Sequence, residues 1–513
     1  MDKFYSPEAY PVNEASFRFV NDGSKLSDTK FQTKPTTFAK DAVKRFRKNK
    51  SSVVAAYIIL LLILFAILAP IISPYNVHYM DKLYVNMPPF VRSAAESGIG
   101  LMNGAVTRDS QNDASMDYWR GIAQETGMDP VIGIISKQVK TVKSRGKTVE
   151  NATYKIRNNK YYEIGIVYRV FSYEEFERIQ NWQDETGIQV IYPYVESKDI
   201  MDITNNANIW YQVKDAKGTA AKDKDGNFIP AYSSNTAIEG ATYHSLRVPG
   251  DDGTYIYSIR KSGSVQCRVC YYNYYHYLNG MEPTYYFGTN EQGQDLFCAI
   301  GMGARFSLVF AVIVSAINLT LGAIYGAIEG YYGGMVDMTM ERISDILSGI
   351  PFVVATTLFQ LHLAQKVGTV PSFLFAYVAT GWIGMAALTR KQFYRFKGQE
   401  YVLAARTLGA SDGRLIFRHI FPNSVGTMIT SCAMVIPGVI SSETSLTYLG
   451  IVNLSEFVGT SIGELMSMGQ RAMTSAPHAM LFPALFFSLL MISFNLFGNG
   501  LRDAFNPTTR GED

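Results

Sequence analysis

A chain of 513 residues with 47 Lys and Arg against 44 Asp and Glu carries a formal charge of +3, a balance that makes no electrostatic case for a nucleic-acid partner. Its 47% hydrophobic content is unevenly spread. Charge is almost absent from six runs, 53–72, 306–327, 349–365, 372–388, 424–440 and 479–496, each close to the roughly 17–25 apolar residues that cross a bilayer as a helix, which excludes a soluble globular protein.

In chain order, residues 1–50 form a polar tail that ends with Lys40, Lys44, Arg45, Arg47, Lys48 and Lys50. That basic cluster predicts a cytoplasmic N-terminus. The first run, within 51–72, is long for a cleaved signal and follows an extended tail, so it reads as a retained signal-anchor. Residues 73–283 hold 23 Lys and Arg against 24 Asp and Glu with no spanning run. That near-balance is the composition of a soluble surface, so the stretch reads as a folded domain between the first two spans, extracytoplasmic by the topology and, from the elements below, α+β and sheet-dominated.

Within that domain, "NATYKIRNNKYYEIGIVYRVF" predicts two strands around an Arg-Asn-Asn-Lys turn, and "SYEEFERIQNWQDETG" predicts a helix. Ser172 would cap that helix, Glu175 would complete a capping box, and Gly187 would end it. "IQVIYPYV" and the Tyr-rich "TYIYSIRKSGSVQCRVCYYNYYHY" predict further strands. The tyrosines 271, 272, 274, 275 and 277 are expected to pack one strand edge, with a ligand-contact surface as the alternative. Asp223 to Asn227, "DKDGN", misplaces its Gly for a calcium loop and predicts an Asp-Gly hairpin turn. Cys267 and Cys270 admit a local disulfide or two reduced thiols; zinc would need two ligands the sequence does not supply.

The remaining five runs lie within 284–507, followed by a short tail, 508–513. Six spans return the C-terminus to the cytoplasm. The connection 390–423 then faces the cytoplasm with seven Lys and Arg against two acids, while the next loop has Arg471 against Glu456 and Glu464. His362, inside the third run, and Glu443, in the uncharged stretch just past the fifth, are functional candidates. His362 is expected as a polar group packed between helices. Glu443 is expected to bind a backbone donor in the neighbouring helix, with facing a path as the alternative. The chain has no phosphate-binding loop, zinc-protease or nucleophile-elbow signature, so it carries no ATPase or hydrolase site of its own.

Residues 400–424, "EYVLAARTLGASDGRLIFRHIFPNS", are charged and helix-prone between two apolar runs. Tyr401 to Leu408 reads as a helix, Gly409 suits the left-handed residue that closes it, and Ser411 with Asp412 can start another. Pro422 and Asn423 are expected to break that second helix before the next span. The result is a helix–Gly–helix elbow, with Ala404 and Ala405 leaving a smooth face for close approach.

This segment resembles the E-A-A-x3-G-x9-I-x-L-P signature of ABC importer permeases. Ala404, Ala405, Gly409 and Pro422 are in register, while Leu403, His419 and Phe421 depart from it. "FGTNEQGQDLFCAIGMGARFSL", "GYYGGMVDMTMERISDILSGIP", "ETSLTYLGI" and "NGLRDAFNP" are similar to further blocks of the oligopeptide/dipeptide branch. The resemblance implies a mostly α membrane protein with six transmembrane helices of the type I ABC importer kind. It implies a bacterial plasma-membrane location and a second homologous permease as heterodimer partner. Two ATP-binding subunits would couple through residues 404, 405, 409, 411, 412 and 422. An extracytoplasmic substrate-binding lipoprotein would deliver peptide. ATP would be used by those partners, and this chain would hold no cofactor or metal. The large domain 73–283 departs from the family. A membrane-anchored receptor, a secondary transporter, or an importer of another solute such as nickel are the competing readings.

Overall fold

The computed structural model describes residues 38–98, 100–144, 147–195, 206–214, 219–232, 255–454 and 459–505. Helix α1 (Phe38–Lys48) ends on Arg45, Arg47 and Lys48. Asn49 then caps α2 (Lys50–Ile72), its carboxamide oxygen accepting the Ser52 N–H at 3.3 Å.

The segment between α2 and the next long helix builds two antiparallel sheets. Its elements are β1 (Ala105–Gln111), α3 (Asp113–Thr126), β2 (Val131–Ser144), β3 (Lys147–Asn159), β4 (Ile166–Ser172), α4 (Tyr173–Thr186), β5 (Ile191–Tyr192), β6 (Ser258–Lys261), β7 (Ser264–Cys270) and α5 (Tyr271–Asn279). One sheet has the order β1-β3-β2; the other runs β4-β7-β5, with β6 also paired to β7. Helix α4 starts and stops as its residues require: Ser172 Oγ accepts the Glu175 N–H at 3.2 Å, and Gly187 closes it at φ 72°. The Glu175 carboxylate takes the Tyr277 hydroxyl at 2.9 Å and Arg178 at 2.6 Å. The Asp-Gly turn is present, with Gly226 at φ 87° and the Asp223 N–H bonded to the Asn227 carbonyl at 2.9 Å.

Two expectations fail here, and one open alternative closes. Residues 151–171 are not one hairpin, because β3 and β4 belong to different sheets. The Asn159 carboxamide accepts the Tyr161 N–H at 2.9 Å and starts one helical turn, which redirects the chain. The tyrosines 271–277 lie on α5 rather than on a strand. Tyr271, Tyr272 and Tyr275 are buried there, a spacing that suits a helical face. Of the two readings offered for Cys267 and Cys270, the unjoined thiols are the ones found. Three residues apart on β7, they point to opposite faces and enter different buried clusters.

An aromatic cluster sits where this segment leaves and rejoins the helices. Tyr84 lies 5.1 Å from Tyr161 and 5.0 Å from Tyr271 between ring centroids, and Phe90 stacks on Tyr161 at 4.5 Å. Phe90 and Tyr285 exchange backbone hydrogen bonds of 2.9 and 2.8 Å. The segment thus departs and returns across a single strand-like pair. Its interior is pinned by the buried Arg268, whose guanidinium forks onto Glu125 at 2.8 and 2.7 Å and also donates to the Pro193 and Ala207 carbonyls.

The helical part continues with α6 (Leu296–Tyr332), α7 (Gly334–Ser348), α8 (Phe352–His362), α9 (Thr369–Lys397), α10 (Glu400–Thr407), α11 (Asp412–Tyr448), α12 (Ile462–Arg471) and α13 (His478–Phe505). Asp295 caps α6, accepting the Phe297 and Cys298 N–H groups at 3.3 and 3.1 Å. Its other oxygen contact, the Ser73 hydroxyl at 2.7 Å, ties the end of α2 to the start of α6. Helices α6 and α9 cross closely at Gly322, Gly326 and Gly330. A Cβ at Gly326 would stand 2.1 Å from the Ala386 carbonyl oxygen, and one at Gly330 2.7 Å from the Phe393 Cβ. This four-residue spacing of small residues brings helices together where apolar surface alone gives no preference for one partner over lipid.

Among the described residues, five helices are long and apolar enough to cross a membrane: α2, α6, α9, α11 and α13. The run 349–365 departs from the expectation. Its α8 is bent by 74° from α7, and only if that pair counts as one span does the number reach six. Pro351 disfavours helical geometry at Ile350, and the 11 residues of α8 extend only about 16 Å.

Candidate functional site: the elbow of residues 400–424

The first arm of the elbow is α10, whose Val402 is fully buried while Leu403 and Ala404 face outward. It closes through a pair of bonds: the Ala410 N–H reaches the Ala405 carbonyl at 3.1 Å, and the Gly409 N–H the Arg406 carbonyl at 3.0 Å. That pattern requires a left-handed residue between them, and Gly409 supplies it at φ 83°. Leu408, at the tip, is 88% exposed.

Ser411 stands in extended geometry at the start of the second arm but makes no side-chain cap bond. Its neighbour Asp412 turns to α6 and accepts the Tyr331 hydroxyl at 2.5 Å. The expected break at Pro422 is absent, because the second arm runs unbroken into α11. Residues Leu415–Ile420 form a π-helical segment instead. Proline has no N–H to donate and crowds the carbonyl four residues back, and the wider turns just before Pro422 accommodate both defects without ending the helix. The elbow is therefore continuous with a spanning helix.

Its underside is a core. Val402, Leu415, Ile416 and Ile420 from the elbow pack with Ala327, Tyr331 and Phe393 from α6 and α9. Ala405 is half-buried against this cluster, whereas Ala404, Leu408 and Arg418 face away from it; Phe417 lines an apolar cavity with Ala327, Ile416 and Phe421. One side is anchored and the other presents a mixed apolar and basic surface. The cations are partly committed: Lys397 Nζ donates to the Gly330 carbonyl at 2.8 Å, and the Arg406 guanidinium lies 5.8 Å over the Tyr331 ring.

The other sequence-predicted residues lie elsewhere. Glu443 is fully buried in α11 and accepts the Ser307 hydroxyl of α6 at 2.7 Å. Its partner is a side-chain hydroxyl rather than a backbone donor. His362 is exposed near the end of α8, beside a cavity of about 460 Å³ that it shares with Leu358, Phe359 and Lys366, and is not packed between helices. Cys267 is buried, which pushes its thiol well above the usual range. Among the described residues no group of acidic, His and Cys side chains is arranged to hold a metal.

Sequence reasoning missed Tyr331 and the Arg390 fork. Arg390 on α9 grips Asp337 of α7 at 2.5 and 2.8 Å and Glu341 at 2.7 and 3.0 Å, while the Tyr394 hydroxyl donates to Asp337 at 2.6 Å. The signal for α6 was available in "GAIYGAIEG", whose glycines recur every four residues. Nothing local in the sequence pairs Tyr331 with Asp412.

Two family models match the chain. Residues 318–511 match the binding-protein-dependent transport system inner membrane component, and residues 37–89 match the N-terminal TM domain of oligopeptide transport permease C. The oligopeptide transport system permease protein OppC of Bacillus subtilis (strain 168) is 38% identical over 236 residues, 45% of this chain and 76% of the relative. The dipeptide transport system permease protein DppC of the same organism is 37% identical over 227 residues, 44% of this chain and 69% of the relative. OppC of Escherichia coli (strain K12) is 34% identical over 233 residues, 45% of this chain and 74% of the relative. Most of the sheet-forming segment lies in the stretch between the two model matches. With its apolar helices, this places the protein among multi-pass proteins of the cell membrane: the chain belongs to the OppC/DppC-like family of ABC transporter permeases.

Proposed function

We propose that the chain is the permease subunit of an ATP-driven importer of oligopeptides or dipeptides. The observation that carries this reading is the elbow: a two-armed projection, cored on one face, continuous with a spanning helix, and exposing Leu408 and Arg418 on the other. A surface of that form suits docking to a motor subunit. The chain itself performs no covalent chemistry and holds no cofactor; ATP is bound by two separate ATPase subunits.

In this reading six spans of the type I importer kind place both termini and the elbow in the cytoplasm. A second, homologous permease completes the translocation path, and a substrate-binding lipoprotein delivers peptide from outside. The sheet-bearing insert is extracytoplasmic and serves to dock that lipoprotein or to cap the path. ATP-driven closure of the motor pulls the elbow, and the core beneath it passes that displacement to α6, α9 and α11 instead of dissipating it.

The test is reconstitution. Purified from its native membrane, the chain should bring down a second permease and two ATPase subunits in fixed ratio, and peptide with its binding protein should stimulate ATP hydrolysis in proteoliposomes. A chain that purifies alone and binds ligand through residues 73–283 would favour the receptor reading. Stimulation by nickel but not by peptide would move the cargo and leave the transporter class intact.

A further inference from the structure

Helix α6 is 37 residues long, about 55 Å, against a hydrocarbon core of about 30 Å. Both ends are clamped. At the N-terminal end the Asp295 carboxylate caps the helix and accepts the Ser73 hydroxyl at 2.7 Å, while the Thr289 hydroxyl just before it donates to the Tyr84 carbonyl at 2.7 Å. Gly293 fits so closely that a Cβ there would lie 2.0 Å from the Asp81 carbonyl oxygen. The root of the sheet-bearing insert is thereby fastened to α6.

At the C-terminal end one residue meets both arms of the elbow. Tyr331 is buried, its hydroxyl donates to Asp412 of the second arm at 2.5 Å, and Arg406 of the first arm donates to that hydroxyl at 3.4 Å. The ring itself packs in the elbow core with Val402 and Leu415. Chain continuity gives the elbow two covalent routes into the membrane, back to α9 and on through α11; Tyr331 adds a non-covalent one, through α6 to the insert's root.

We infer that Tyr331 is a positioning residue for coupling: through Asp412 and Arg406 it locks the elbow to α6, so that the state of the insert and that of the motor are read through one rigid helix. A lock of this kind fits the tyrosine chemistry. The ring is anchored by burial, and the hydroxyl reports whether the two arms stand at their present angle to α6. Loss of the hydroxyl leaves the packing and removes the report. This inference rests on the importer reading above.

The experiment uses the whole complex of this chain, second permease, ATPase subunits and binding protein in proteoliposomes, with a tryptic digest of casein as peptide source. The readout is the ratio of peptide-stimulated to basal ATP hydrolysis for wild type, Tyr331→Phe, Asp412→Ala and the double variant. The expected result is a fall of about fivefold or more in each single variant, at unchanged yield of assembled complex, with no further fall in the double. Ratios within about twofold of wild type in both single variants, or losses that multiply in the double, would overturn the inference. Should Tyr331→Phe assemble poorly, Asp412→Ala carries the test alone, because Asp412 is exposed and outside the core. A wild-type complex with no stimulation by peptide overturns the peptide-importer reading itself, an outcome distinct from stimulated wild type with unaffected variants.

Discussion

At Gly409 the constraint is purely one of backbone. A Cβ there would meet nothing within 4 Å, but φ stands at 83°. An L-residue pays about 1–2 kcal/mol to hold that geometry, most for β-branched side chains and least for Asn. Gly409→Val should therefore abolish stimulated ATP hydrolysis while membrane insertion persists, and Gly409→Asn should retain most of it; equal activity in both would discard the lever. Glu443 asks a different question, since it hydrogen bonds Ser307 from full burial. Glu443→Gln keeps an acceptor of the same shape, and transport within about twofold of wild type is expected. Glu443→Leu strands the Ser307 hydroxyl in the bundle and should cost about 0.6–1.7 kcal/mol in unfolding measurements. Transport lost in the Gln variant would show that the acid itself is needed. The thiols make a third case: all four cysteines should take up alkylating reagent after non-reducing denaturation, whereas Cys267 should resist it in the native protein at pH 8, where burial keeps the thiol protonated. That 267 and 270 face opposite sides follows from their odd spacing once β7 is known to be a strand throughout; which cluster each enters does not.

Helices α6 and α11 obey rules of different kinds. The Gly322, Gly326 and Gly330 stripe of α6 is a sequence pattern with a direct meaning, close approach, though not a named partner. Gly326→Leu should push α9 away and lower the thermal stability of the solubilised protein by about 1–3 kcal/mol or more. Gly438→Ala in α11, where a Cβ meets nothing within 4 Å, serves as a control that should change little. Pro422 reads differently in sequence and in structure. Locally it is a helix breaker, but here it sits in the first turn after a π-helical segment, and its helix continues. Tertiary burial of Leu415, Ile416 and Ile420 holds the arm helical across the defect. In Pro422→Ala the ordinary register becomes available, rotating residues before 421 relative to the span. Stimulated ATP hydrolysis is expected to fall several-fold with assembly intact, and an unchanged ratio would show that the wide turn has no part in coupling. The bend between α7 and α8 has the same character, because apolar content at 349–365 measures burial and not straightness.

For the molecule as a whole, the sheet-forming segment is detachable in principle. Phe90 and Tyr285 exchange both backbone bonds, so residues 91–284 can be replaced by a two-residue Asn-Gly turn without moving either end. The shortened chain should still insert and assemble, less stably because Tyr84, Phe90 and Tyr285 lose their packing partners. If the insert docks the binding protein, affinity for that protein falls with transport; transport lost at retained affinity would argue for a cap on the path instead. From the sequence alone came the membrane class, five of the spanning helices, the α4 boundaries, the Asp-Gly turn and the elbow's existence. These are local properties: apolar length, capping chemistry and a glycine at the left-handed position each act within a few residues. The tertiary structure decided the strand pairing of 151–171, the helical state of the tyrosines, the continuity of the elbow with α11, and the bond from Tyr331 to Asp412. Each of those depends on partners far away in the chain, and the strength of burial or of a hydrogen bond cannot be known until the fold has brought both sides together.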